Sequence, residues 1–173
     1  NAAGRKLFWP RGKGWGGSSS INAMIYTRGH SSDYDHWRQL GNPGWSYDDV
    51  LPYFKRAENY EGDGDEEFHG QGGPLNVKKS TREDDILLDK FVEAGKQAGF
   101  PLTNDFNGKQ QEGFSRYEHT IKGSKRFSSA RAYLYPALNR KNLHTKVNIT
   151  VDKVIFKNKK AIGVEYFEKG KKK

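Results

Sequence analysis

Residues 10–24 read PRGKGWGGSSSINAM, a run of small and hydroxyl-bearing residues. Gly16 and Gly17 carry no side chains, so the backbone can approach a ligand closely, and successive N–H groups leading into a helix start attract anions. Ser18 and Asn22 add groups for directional hydrogen bonds. The stretch therefore predicts a loop that contacts an extended polar ligand. From these residues alone an ATP site and a plain flexible loop stay open, although the glycine, lysine and serine spacing is not that of a Walker motif.

Downstream of the loop, hydrophobic periodicity and turn residues predict a mixture of helices and strands. The predicted helical segments are a short turn over 33–37, a helix over 47–58 capped by Ser46, a helix over 84–98 ended by Gly99, and a helix from Ser128 or Ser129 to 138. The predicted strands are 75–77, 114–121 with a turn at 123–124, 143–148, 151–156 and 161–167. The expected fold class is α/β, of the mixed α+β kind, and the last strands form a β-meander.

The composition is that of a folded domain with a basic surface. The 173 residues are 34% hydrophobic and 13% aromatic, which argues against disorder. A net charge of +9 raises the alternative of a basic module that binds nucleic acid or another polyanion. The lysines are spread along the chain and are not interleaved with aromatic residues, so we expect no nucleic-acid partner.

Other features of the sequence concern its ends and its compartment. The chain does not begin with Met, and residues 169–173 make a turn-like lysine cluster where a returning strand is expected to follow, so both ends are predicted to be truncations. No apolar run approaches the length of a transmembrane helix. The absence of cysteine leaves the compartment open, with cytoplasmic or membrane-associated locations both compatible.

A longer pattern extends from the loop along the whole chain. Residues 12–26 are followed by Arg28-Gly29 and by DYDHW at 33–37. The same order continues through GWSY at 44–47, LPYF at 51–54, HG at 69–70, GPL at 73–75, DFNG at 105–108, QEG at 111–113, SSAR at 128–131 and GVEY at 163–166. Taken together, these motifs resemble the glucose-methanol-choline (GMC) oxidoreductases, and within that family the dehydrogenases of choline and other primary alcohols.

The resemblance implies part of a Rossmann-type FAD domain with an antiparallel-sheet substrate domain threaded through it. Residues 1–69 would then hold the flavin-contacting loop and lid of the FAD domain, 70–127 part of the substrate domain, and 128–173 the return to the FAD domain. The positions that correspond to cofactor contacts in the family are Gly16, Gly17, Ser18, Asn22, Ala23, Ile25 and Val151. For Val151 a core position in the meander is the alternative interpretation.

The activity implied by the resemblance is oxidation of a primary alcohol, choline or an aliphatic alcohol, to the aldehyde by hydride transfer to the flavin. Ile21 stands where some members carry a His that attaches the flavin, so we expect FAD to be bound non-covalently. The five histidines match none of the family's catalytic positions, so no catalytic residue and no metal ligand is expected here, and this chain alone should be inactive. The electron acceptor, oxygen or a quinone-linked carrier, stays open, as does any contact of Tyr117 or Glu118 with the ammonium group of choline.

Overall fold

The computed structural model describes residues 3–79 and 85–173, which divide into two units, one extending to Pro136 and the other comprising Ala137–Lys173. In chain order the first unit contains a 3₁₀ turn Gly17–Ser20, β1 (Ile25–Tyr26), α1 (Ser31–Gln39), α2 (Tyr47–Ala57), β2 (Glu58–Glu61), β3 (Leu75–Lys79), α3 (Ile86–Gln97), β4 (Glu118–His119), β5 (Ile121–Lys122), β6 (Lys125–Arg126) and a π-helix Ala130–Leu134. After a 3₁₀ turn Tyr135–Ala137, the second unit contains β7 (Ile149–Lys157), β8 (Lys160–Glu168) and β9 (Lys171–Lys172). The predicted mixed α+β content is confirmed, while the predicted domain boundaries at 70 and 128 stay predictions.

The helices begin where side chains cap them. Ser46 and Asp49 form a capping box at the start of α2, as the sequence predicts. The short turn predicted over 33–37 is a longer helix, α1, because His30 accepts from the Ser32 N–H and so caps it two residues earlier. Helix α3 is capped by Asp85 and followed by Gly99 at φ 84°, and its predicted first residue, 84, lies outside the described residues.

One four-stranded sheet forms the centre of the first unit, with its strands in the order β1-β4-β3-β2. Strands β2 and β3 are parallel, whereas β4 is antiparallel to both β3 and β1. Val77 in β3 is completely buried, but the other largest fully buried side chains are Glu58, Asn76, Asn107 and Glu118. Burial of polar and charged groups is unfavourable unless they are hydrogen-bonded, so this core depends on a network among them.

The strand predicted over 114–121 is wrong as a continuous element. Phe114 makes a single parallel bridge to Leu102, and the extended residues further on are only those of β4 and β5. Between these two strands the Thr120 N–H donates to the Met24 carbonyl at 2.8 Å. The residues on either side therefore pair with different partners, β4 in the central sheet and β5 in a hairpin with β6. The predicted turn at 123–124 that joins this hairpin is confirmed.

The segment predicted as a helix from Ser128 or Ser129 to 138 is helical over residues 130–137, but the predicted side-chain cap is wrong. The chain forms a π-helix and then a 3₁₀ turn, without a side-chain cap from Ser129. The Ser129 N–H and hydroxyl are instead hydrogen-bonded to Ser19 and to the Gly16 carbonyl. A long-range contact thus takes the groups that the local sequence pattern assigns to the cap.

The second unit is a three-stranded antiparallel meander. Strands β7 and β8 are joined at Asn158 and Lys159, whose φ values of 49° and 62° make the tight turn. After a turn at Lys169 and Gly170, the chain returns as β9, which pairs with β8. This short strand lies within the terminal lysine cluster, residues 169–173.

The strand predicted over 143–148 is wrong. The Leu143 N–H donates to the Arg140 carbonyl at 3.1 Å, which makes a turn at the start of this segment. Asn148 at the other end has φ 58°, a left-handed conformation that interrupts extended backbone. The meander consequently begins at β7.

Candidate functional site

The glycine and serine loop, residues 12–22, turns sharply before it enters the 3₁₀ turn. Gly16 and Gly17 have φ values of 90° and 51°, in the left-handed region that glycine adopts without strain. A Cβ at Gly12 would overlap the Gly17 carbonyl, and a Cβ at Gly16 would overlap the Ser20 hydroxyl. A Cβ at Gly17 would meet nothing within 4 Å. The loop is therefore tightly folded on itself, with open space beside Gly17.

The same loop is held by residues more than 100 positions later in the chain. The Ser129 N–H donates to Ser19 Oγ at 3.0 Å, and Ser129 Oγ donates to the Gly16 carbonyl at 3.3 Å. Trp15 packs against Tyr135 with 5.7 Å between ring centroids. Sequence reasoning missed this contact, and the serine pair at 128–129 was its only sequence signal.

Several hydrogen-bond donors of the loop remain available to a ligand. The backbone N–H groups of Gly17, Ser19, Ile21 and Asn22 donate to carbonyl oxygens of the loop itself. Within residues 3–79 and 85–173, however, the N–H groups of Ser18 and Ala23 have no acceptor, and both residues are exposed. Ser18 Oγ accepts from the Gly12 N–H at 3.3 Å, which leaves the hydroxyl hydrogen to donate elsewhere.

A groove of about 380 Å³ lies beside the loop. It is lined by Phe8, Trp9, Pro10, Arg11, Ser18, Ile21 and Asn22. Phe8 and Trp9 are 93% and 68% exposed, and Arg11 lies 5.6 Å from the centre of the Trp9 ring. The groove thus joins apolar aromatic surface to hydrogen-bond donors, an arrangement suited to a flat aromatic ligand with a polar edge.

The predicted cofactor residues are only partly brought together. Ser18 and Asn22 line the groove, and Gly16 and Gly17 lie in the adjoining turn. Ala23 is exposed directly after the loop, and Ile25 is 43% exposed in β1.

Val151 lies in the second unit. It occupies β7 opposite Tyr166 and is 54% exposed, so it is not a buried core residue of the meander. Its contact with a cofactor stays a prediction.

A buried ionic network, which sequence reasoning also missed, connects β2 to three loops. Glu58 Oε2 accepts from Arg28 at 3.0 Å, from His69 Nδ1 at 3.0 Å and from the Gly70 N–H at 2.9 Å. His69 Nε2 lies 2.7 Å from Asp105 Oδ2. Burial lowers the pKa of His69, but the hydrogen bonds to Asp105 and Glu58 outweigh burial and raise it to about 9. His69 is consequently a cation between two carboxylates at neutral pH, which is a structural role and not that of a general base.

Glu118 belongs to the same buried region. Its Oε1 accepts from the Tyr60 hydroxyl at 3.1 Å and its Oε2 from Asn107 Nδ2 at 2.9 Å. Burial, with a contribution from the charge of Asp105, raises the pKa of Glu118. Because Glu118 is only 1% exposed and both oxygens are occupied, it is not accessible to an ammonium ligand.

Tyr117, the other candidate for contact with the ammonium group, is 44% exposed and stacks on Phe106 with 4.8 Å between ring centroids.

Among the described residues there is no group of three or more acidic, histidine or cysteine side chains placed to hold a metal ion. Within residues 3–79 and 85–173, none of the helices combines the length and the hydrophobicity that a transmembrane helix requires.

The amino-acid sequence of the chain is similar to a known protein family and to known members of it. The GMC oxidoreductase family matches residues 1–173. The chain is 54% identical over 162 residues to the oxygen-dependent choline dehydrogenase of Brucella ovis, covering 94% of this chain and 29% of that protein.

Two solved structures of other proteins are also similar to this chain along most of its length. Pyridoxine 4-oxidase from Mesorbium loti superposes with a TM-score of 0.87 at 32% identity, over 99% of this chain and 34% of that one. An FAD-dependent oxidoreductase from Chaetomium thermophilum superposes with a TM-score of 0.79 at 29% identity, over 91% of this chain and 29% of that one. The chain thus spans about a third of the length of these proteins or less, and the family match extends over all of it. The chain belongs to the GMC oxidoreductase family.

Proposed function

We propose that the chain forms one wall of the FAD site in an enzyme that oxidises a primary alcohol to the aldehyde. The observation that carries the proposal is the glycine and serine loop, in which Ser18 lines an aromatic groove and its N–H has no acceptor among the described residues. The N–H of Ala23, directly after the loop, is a second such donor. FAD contains a flat ring system, which suits the aromatic groove. It also contains a pyrophosphate and acceptor atoms on the edge of the ring, which suit the hydrogen-bond donors of the loop. The FAD-dependent relative from Chaetomium thermophilum supports the choice of cofactor.

The proposed attachment of FAD is non-covalent. Ile21 lines the groove and is 53% exposed, so it occupies a place from which a nucleophilic side chain would reach a ligand. An isoleucine side chain offers no atom for a covalent bond. Retention of FAD then depends on hydrogen bonds and on packing against the groove.

The proposed role of this chain in the reaction is to bind and orient FAD. When bound, FAD supplies the hydride acceptor for the carbinol carbon of the alcohol. The N–H groups of Ser18 and Ala23 would donate hydrogen bonds to the bound cofactor, and Asn22 would add a side-chain donor. Donors that are already fixed stabilise developing charge without a reorganisation cost, which suits a loop held by Ser129. We assign the base that takes the hydroxyl proton to another part of the full-length protein, because His69 is bonded on both ring nitrogens.

The proposed substrate is choline or another primary aliphatic alcohol, with oxygen or a quinone-linked carrier as electron acceptor. The name of the Brucella ovis relative favours choline and oxygen. The predicted domains, 1–69 and 128–173 in the FAD domain and 70–127 in the substrate domain, are part of the same proposal. A contact of Val151 with the adenine of FAD is also part of it.

Nothing in the comparisons supports the alternative of a basic polyanion-binding module. In the second unit, Lys146, Lys153, Lys172 and Lys173 form ion pairs with acidic side chains, which reduces the exposed positive potential.

The test uses the full-length gene product. Purified protein should be yellow with a flavin absorption spectrum, and acid precipitation should release all of the flavin into the supernatant. Choline and a series of primary alcohols should be oxidised under air or with a quinone analogue. A colourless protein that takes up no FAD on reconstitution would refute the proposal, whereas flavin that stays with the precipitate would refute only non-covalent attachment. Tight, salt-sensitive DNA binding by a colourless protein would favour the basic module.

A further inference from the structure

The hydrogen bonds of Asn22 determine which of its side-chain atoms is available to a ligand. Asn22 Oδ1 accepts from Arg126 Nη1 at 2.7 Å and from the Met24 N–H at 3.1 Å. A guanidinium and a backbone N–H can only donate, so the accepting atom must be the oxygen of the amide. The amide nitrogen, Nδ2, has no acceptor among the described residues, while Asn22 lines the groove. The side chain is therefore fixed with its donor unused.

Arg126 holds this arrangement from the β5–β6 hairpin, 104 positions away in sequence. The same Nη1 that contacts Asn22 also donates to the Ser19 carbonyl at 3.1 Å, so one guanidinium group ties the side chain to the loop backbone. Arg126 is itself fixed because β6 pairs with β5 and the adjacent Phe127 N–H donates to the Thr120 carbonyl at 2.8 Å. A charge-assisted hydrogen bond of this length is among the stronger contacts that could orient an amide.

The backbone next to Asn22 gives independent evidence that the segment is tightly determined. Met24 has φ 64°, a left-handed conformation that is unfavourable for a residue with a Cβ. Such a conformation persists where surrounding contacts over-determine it. Here the Met24 N–H is held by Asn22 and the Met24 carbonyl accepts from the Thr120 N–H at 2.8 Å.

We propose that Arg126 is a positioning residue of the cofactor site, which orients the Asn22 amide so that Nδ2 donates a hydrogen bond to FAD. The inference rests on the proposed function and adds to it a residue outside the loop. The proposed action of Arg126 is through Asn22 and requires no direct contact between Arg126 and FAD. Loss of either residue should therefore remove the same hydrogen bond.

The experiment measures the dissociation constant of FAD by flavin fluorescence with reconstituted full-length apoprotein. Asn22→Asp keeps the acceptor for Arg126 and Met24 but lacks Nδ2, so it should fold and bind FAD about tenfold more weakly. Arg126→Met should weaken binding about tenfold as well. Lys125→Met removes a neighbouring exposed cation from the same strand and should change the constant less than about twofold.

A double-mutant cycle separates positioning from general damage to the fold. In an Asn22→Ala background, Arg126→Met should weaken FAD binding less than about twofold further, because the group that it orients is already absent. An equal loss in both backgrounds would overturn the proposal, as would wild-type affinity in Asn22→Asp or in Arg126→Met. Should Arg126→Met fail to fold, Arg126→Lys takes its place in both backgrounds with the same expected and contrary results, because Asn22→Asp by itself tests only the contact of Asn22 with FAD. If the wild-type protein takes up no FAD, the proposed function itself fails, which is a different result from wild-type affinity in the variants.

Discussion

His69 makes the stability of the protein depend on pH in a direction that the structure determines. In the folded state its pKa is raised from 6.5 to about 9, because hydrogen bonds to Asp105 and Glu58 outweigh the effect of burial. A raised pKa means that the folded state binds the proton more tightly than the unfolded state. The resulting stabilisation is fully present below about pH 6.5 and is lost as the pH rises through about 9.

The magnitude follows from the size of the shift. At about 1.4 kcal/mol per pKa unit, a rise from 6.5 to about 9 corresponds to about 3 kcal/mol. The side chain of His69 is only 3% exposed, so solvent screening reduces this figure little. His69→Gln keeps a donor but cannot become a cation. The difference in free energy of unfolding between wild type and His69→Gln should therefore fall by about 3 kcal/mol between pH 6 and pH 10.

Urea unfolding of the full-length protein, followed by tryptophan fluorescence at intervals across this pH range, measures that difference. His144→Gln, at an exposed histidine of the second unit, serves as the control for replacing a histidine with glutamine outside the buried network. A wild-type advantage over His69→Gln that is equal at both ends of the range, or that grows with pH, would refute the assignment of His69 as a buried cation.

Two further predictions concern the network and the loop. Arg28→Met removes a donor from Glu58, a carboxylate with 0% side-chain exposure, and should lower the free energy of unfolding by about 3 kcal/mol. Lys153→Met, which breaks an exposed ion pair, should lower the free energy of unfolding far less in the same urea titration, and equal losses would contradict the reasoning. Gly16→Ala should lower both stability and FAD affinity, since its Cβ would overlap a serine hydroxyl. Gly17→Ala meets open space and should lower thermal stability less, so a melting temperature equal to that of Gly16→Ala would count against the loop geometry.

The elements that the sequence predicted correctly depend on local contacts. Ser46 caps α2 through a residue three positions away, and Gly99 ends α3 through its own backbone freedom. The hairpin turn at 123–124 likewise involves only adjacent residues. Patterns of this kind are visible in a single stretch of chain, because the interacting groups are separated by one turn of structure.

The elements that were predicted incorrectly depend on distant contacts. Ser129 has the side chain of a helix cap, but its N–H and hydroxyl bond to the loop at Ser19 and Gly16. The strand over 114–121 is divided because Thr120 bonds to Met24. In each case a residue about 100 positions away offers a partner that local propensity does not take into account.

The sequence by itself determined the family through the order of its motifs and the mixed α+β class through its hydrophobic periodicity. It also determined the place of the loop, because Gly16 and Gly17 can adopt the left-handed backbone that other residues adopt only with strain. Only the tertiary structure decided what holds the loop and the core. Arg126 reaches Asn22 across 104 positions, and His69 lies between Glu58 and Asp105 in the interior. Buried charges must find partners wherever the fold brings them, so their pairing is a property of the packed chain and not of any one segment.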